Sequence, residues 1–152
     1  MAGLYGDGLV AGANLFKKQA KLRSSWENGV RESGKDPRRQ AVVLEHWAAI
    51  GEKDDREVRQ AAVKWRFEPK TWERGYRDNT NPEEIEARVD NEIPLEETLK
   101  DLVARRSPED HASAIKELYD LRATHVLVHV ATPNQKEVIN YLGSKVLRIL
   151  RE

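Results

Sequence analysis

Thr124-His125-Val126-Leu127-Val128-His129-Val130 is the stretch that decides the fold class. Its β-branched residues suit a pleated backbone, and the two-residue period divides it into two faces. Val126, Val128 and Val130 form one face; His125, Leu127 and His129 form the other. Two earlier runs read the same way. Leu9-Val10-Ala11, held between Gly8 and Gly12, suits a short strand entered from a Gly-Asp-Gly turn. Ala41-Val42-Val43-Leu44-Glu45-His46-Trp47-Ala48-Ala49 is a longer strand. One of its faces carries Val42, Leu44, His46 and Ala48; the other carries Ala41, Val43, Glu45, Trp47 and Ala49.

Helical spacing fills the intervals. Leu15, Leu22, Trp26 and Val30 predict one long helix after the first strand, ended by Ser33-Gly34 and Pro37. Val58, Ala61, Ala62 and Trp65 follow Asp54 and Asp55 at helical spacing. Asn81-Pro82-Glu83-Glu84 and Ser107-Pro108-Glu109-Asp110 are both helix starts, with a capping side chain, a first-turn proline and acidic residues near the N-terminus. Pro94 to Lys100 is a further short helix, and Thr132-Pro133-Asn134 opens a last one striped by Val138, Leu142, Val146 and Ile149. Strands alternating with helices predict an α/β fold with a parallel sheet and crossover helices. The domain expectation is a single domain over 1–152, with 68–106 a helical insertion before the last strand.

The bulk composition narrows the function classes. At 152 residues the chain has room for one domain with a core. Acidic and basic residues number 26 each, so no global field favours nucleic acid or an anionic membrane. Without cysteine, disulfide frameworks and thiolate zinc sites are excluded. No apolar run approaches the roughly 20 residues that span a bilayer, and Met1 to Gly8 lacks the pattern of a signal peptide. A soluble, cytoplasmic protein is the expectation.

Three segments, taken in order, resemble one family. Ala2-Gly3-Leu4-Tyr5-Gly6-Asp7-Gly8-Leu9-Val10 is similar to the segment leading into the sixth barrel strand of luciferase-like, coenzyme F-420 (deazaflavin)-dependent oxidoreductases. The likeness is to the branch of glucose-6-phosphate dehydrogenases and their relatives. Ile93-Pro94-Leu95-Glu96-Glu97-Thr98-Leu99-Lys100, with Ser107-Pro108-Glu109-Asp110 after it, resembles the helices before the last strand; Thr124 to His129 resembles the eighth strand. The resemblance implies a partial (β/α)8 TIM barrel made of the last three strands and their helices. A whole barrel takes about 200 residues at minimum. The expected chain is therefore a fragment, or one part of a split barrel, that contributes pocket walls and leaves the main catalytic groups to earlier strands. The implied cofactor is coenzyme F-420, with FMN as the alternative, and the implied chemistry is hydride transfer with a small-molecule substrate.

Glucose 6-phosphate itself is not the expected substrate. In that branch the loop after the sixth strand and the helix carrying Lys100 supply cations to the phosphate. Here the loop reads Ala11-Gly12-Ala13-Asn14-Leu15, and Asp101 stands where the branch has an arginine. A carboxylate at that place repels a phosphate dianion.

Barrel sites lie at the C-terminal ends of the strands. His129 lies near such an end, on the face opposite the valines, where it could hydrogen-bond a cofactor or be satisfied by its surroundings. Glu45 and Trp47 share a strand face, Glu45 as an acid/base or hydrogen-bond acceptor and Trp47 as a wall of a ring-binding pocket, or the two as charge layer and packing. Gly12 and Ala13 could let backbone amides approach a ligand, or simply make a tight turn. Trp65, Trp72 and Tyr76 could form a lid, an interface or packing for the insertion. His125 and His129 would stand about 13 Å apart along a strand, too far to share a metal ion, so no metal site is expected. Lys17, Lys18, Lys21 and Arg23 read as a solvated helix face. An open strand edge and an inner face bearing Trp47 and Leu127 predict association, with a second copy or with the absent barrel strands. The competing function is a non-catalytic module that acts through such association.

Overall fold

A computed structural model describes residues 1–66 and 81–152. Trp72, Tyr76 and most of the polar stretch that opens the insertion lie outside the described residues. In chain order the elements are α1 (Ala2–Tyr5), β1 (Gly8–Gly12), α2 (Ala13–Lys18), α3 (Ala20–Glu32), a 3-10 turn (Pro37–Arg39) and β2 (Ala41–Ile50). These are followed by α4 (Arg56–Trp65), α5 (Pro82–Glu92), α6 (Leu95–Asp101), β3 (Val103–Arg105), α7 (Pro108–Asp120) and β4 (His125–Val130). The chain closes with α8 (Gln135–Tyr141), one π-helical turn (Leu142–Val146) and α9 (Leu147–Arg151). Hydrogen bonds order the strands β1-β2-β3, with β4 also on β2. The α/β alternation expected from the sequence is present. None of the described helices is long and apolar enough to cross a membrane.

The residues gather into two compact units, one comprising Met1–His46, Glu109–His129 and Val146–Glu152, the other Trp47–Pro108 and Val130–Lys145. In the first, β1 runs parallel to the first half of β2, in register from Gly8 opposite Ala41 to Gly12 opposite Glu45. Thr124 fastens the start of β4 to the same strand. Its amide donates to the Val42 carbonyl at 2.8 Å. Its hydroxyl accepts from the Val42 amide at 2.9 Å and donates to the Val42 carbonyl at 3.0 Å. Val42 and Leu44 point into a core with Phe16, Trp26, Val30 and Leu118. Leu44 is fully buried, so truncating it to alanine costs about 2–5 kcal/mol.

The helix after β1 is two helices rather than the one long helix expected. Gln19 leaves helical geometry, with φ −117° and ψ 79°, between α2 and α3. Phe16 on α2 and Trp26 on α3 both enter the core, and Leu15 is 40% exposed. Helix α1 docks on α3 through glycine. A Cβ on Gly3 would stand 2.3 Å from the Trp26 carbonyl oxygen, so only glycine fits that approach.

In the second unit the last residues of β2 pair in parallel with β3, Ala48 to Ile50 opposite Val103 to Arg105. The three-residue β3 is too short for periodicity to reveal it, and it lies within 68–106, the stretch read from the sequence as a helical insertion. Ala49, Val58, Ala61, Ala62, Leu99 and Ala104 form the core here. Small alanines let α4 lie close to the strands. Ala49, assigned by alternation to the face of Glu45, is fully buried in this core. Asn81 caps α5 as expected, its side chain accepting from the Glu83 amide at 3.1 Å, with Pro82 in the first turn.

Candidate functional site

The first unit brings together Gly12, Ala13, Glu45 and His129. Even-numbered β2 residues from Val42 to His46 are buried, whereas Val43 and Glu45 are only half-buried. On β4, Val126 packs against the core and Leu127 stays 55% exposed. On β1, Val10 is 70% exposed. Each strand thus presents one face to the helices and leaves the other open, and Glu45 and His129 stand on the open one. His129 Nδ1 lies 3.5 Å from Glu45 Oε1, with both side chains 30% exposed. That separation permits an ion pair when the imidazole is protonated. Both groups remain accessible to a ligand as hydrogen-bonding partners.

Gly12 borders this pair. It is the β1 residue opposite Glu45 and it caps α2, with φ −64° and ψ 133°. Nothing lies within 4 Å of the place a Cβ would take. The space over Gly12 is therefore open, as a close approach to backbone requires. Ala13 is buried in the core beneath it.

Trp47 belongs to the second unit, where it meets Trp65 edge to face, with ring centroids 5.0 Å apart and planes at 75°. The Trp65 indole donates to the Ala131 carbonyl at 3.1 Å, just past β4. Trp47 and Trp65 thus pack against each other within this unit. The loop after β4 is held from the helix side as well: Asn134 donates to Glu57 at 3.3 Å. Asp101 closes α6. Among the described residues no group of three or more histidine, aspartate or glutamate side chains could hold a metal ion.

Parallel strands with helices on one face, and the other face open in the first unit, define an α/β protein. Three solved structures resemble it in fold. An F-420-dependent secondary alcohol dehydrogenase, solved with an F-420–acetone adduct, aligns with TM-score 0.76 at 20% identity, over 99% of this chain and 45% of its own. The coenzyme F-420-dependent tetrahydromethanopterin reductase of Methanopyrus kandleri aligns with TM-score 0.63 at 20% identity, over 98% and 47%. A riboflavin lyase, solved with modified FMN and riboflavin, aligns with TM-score 0.59 at 17% identity, over 99% and 39%. The chain thus spans less than half the length of each. No family model and no curated sequence matches it.

Proposed function

We propose that this chain forms the closing wall of a luciferase-like barrel that transfers hydride to or from coenzyme F-420. The observation that carries the reading is the Glu45–His129 pair on an open strand face, beside the unfilled space over Gly12. The likeness of fold to two F-420-dependent enzymes supports the choice of cofactor, and the lyase solved with modified FMN keeps FMN as the alternative.

The residues present fit a planar, polar ring. Gly12 offers backbone that such a ring can approach, and Glu45 and His129 offer an acceptor and an imidazole to its edge. Bound there, the deazaflavin supplies the hydride chemistry, and the protein supplies orientation and shielding from water. Glu45 orients the His129 ring as a hydrogen-bonding partner for the ligand. The catalytic groups of the whole enzyme would come from barrel strands other than these, and its substrate is a small molecule outside the sugar-phosphate branch. We also place the protein in the cytoplasm.

Exposed Val10 and Leu127 favour a second reading, in which the chain acts by association alone, covering that face with a second copy or with the remaining barrel strands. Titration with coenzyme F-420 and with FMN, followed by fluorescence alongside mass in solution, separates the two. Saturable binding that weakens in Glu45→Gln and His129→Ala supports the oxidoreductase wall. A stable oligomer or complex with affinity for neither cofactor supports the associating module and overturns the first reading.

A further inference from the structure

We propose that the first unit carries a second ligand site, an anion pocket for a phosphate group, at the opposite ends of the strands from Glu45 and His129. A cavity of about 370 Å³ opens there, lined by Arg31, Lys35, Arg38 and Arg122 together with Glu27 and Asp36. Asp36 to Arg38 stand just before β2, and Arg122 stands just before β4.

Four cations against two carboxylates leave the cavity positive, and the carboxylates are already engaged. Glu27 accepts from Arg23 at 3.0 Å and from Arg31 at 3.1 Å. Asp36 caps the 3-10 turn through the Arg38 amide at 2.9 Å and accepts from the Arg38 guanidinium at 3.0 Å. Arg31 and Arg38 are thereby oriented while keeping N–H groups to spare, since a guanidinium has five. Lys35 reaches the Gly6 carbonyl at 3.1 Å and the fully exposed Asp7 at 3.3 Å. The Arg122 guanidinium makes no hydrogen bond or ion pair among the described residues.

The backbone at Arg122 makes that choice of residue informative. Arg122 is the non-glycine residue with positive φ among those described, at 69°. It ends α7 in a left-handed turn: its amide donates to the Tyr119 carbonyl at 2.8 Å, and the Ala123 amide donates to Leu118 at 3.1 Å. Glycine is the residue this position favours, and an L side chain there is strained. An arginine held in that conformation, over a positive cavity with its guanidinium unpaired, is accounted for by an oxyanion that the guanidinium binds. Favourable interaction with the C-terminus of α7 is the competing account of the same charge.

Inorganic phosphate is the probe, titrated into the full chain at constant ionic strength balanced with chloride. Thermal unfolding and phosphorus NMR line width are the readouts. Wild type is expected to respond saturably, with Tm rising by about 3–5 °C at ten times the dissociation constant. Arg122→Gly should fold with unliganded Tm equal or higher and lose at least tenfold in phosphate affinity. Arg122→Gln, which keeps a long side chain on the same backbone, should lose it as well, and Arg122→Lys should keep part. A wild-type response that does not saturate, or one that Arg122→Gly and Arg122→Gln retain in full, overturns the proposal.

Discussion

Glu45 Oε1 and His129 Nδ1 stand 3.5 Å apart on strands that the chain separates by more than eighty residues, each 30% exposed. A half-exposed pair of this kind contributes little to folding, about 0–1 kcal/mol. Glu45→Gln and His129→Ala are therefore expected to leave the urea midpoint nearly unchanged while weakening coenzyme F-420 binding about tenfold, the scale of one charged hydrogen bond. Chemical denaturation and fluorescence titration on the same samples check both halves. Lost stability with unchanged affinity would make the pair a structural one.

The glycines divide into one that packing requires and one that it does not. Gly3→Ala drives a Cβ to 2.3 Å from the Trp26 carbonyl and 2.8 Å from the Val30 amide, so it should destabilise by about 1–3 kcal/mol. Gly12→Ala meets nothing within 4 Å and keeps an ordinary φ, so its change should stay within about 1 kcal/mol. If backbone at Gly12 touches the cofactor, Gly12→Ala nonetheless lowers its affinity. Paired unfolding and binding curves test the contrast.

Glu27 predicts an acid limb in the stability of the fold. The hydrogen bond from Arg23 holds its carboxyl below the ordinary glutamate range, with Arg31 adding to the effect and burial opposing it. A carboxyl lowered in the folded state contributes stability that is complete above the unfolded value of about 4.3 and is lost as pH falls through the lowered folded value. Urea unfolding from pH 6 down to about 3 should accordingly show wild type losing stability below about pH 4.3. Glu27→Gln should be less stable than wild type at pH 6 and should converge with it in acid. Parallel curves across the whole range would show that the hydrogen bonds to Glu27 carry no linkage.

Leu127, 55% exposed, and Val10, 70% exposed, predict that association runs through the open strand face. Leu127→Lys should raise the dissociation constant for self-association, or for a complex with the remaining barrel strands, by at least tenfold. Thermal stability of the uncomplexed chain should stay within about 0.5 kcal/mol. Sedimentation equilibrium reads the first and calorimetry the second. Association that is indifferent to Leu127→Lys places the contact elsewhere.

The amino-acid sequence by itself determined β1, β2 and β4 and, over most of their length, the two faces of β2 and β4. Alternation in Val42 to His46 and in Val126 to Val128 separates the helix-facing side of each strand from the open one, because successive side chains on a pleated strand point opposite ways. Asn81-Pro82 marks a helix start because its groups meet a local need of the backbone. What spacing could not reach was every feature that depends on a partner distant in the chain. The break at Gln19 has no signal in the helical spacing, and β3 exists because Ala48 to Ile50 offer it hydrogen bonds. The burial of Ala49 likewise depends on α4 and α6, where alternation alone would have left it open. Glu45 and His129 were legible as residues on the open faces of their strands. Only the packing of β4 on β2, fastened by Thr124 to Val42, put their side chains side by side.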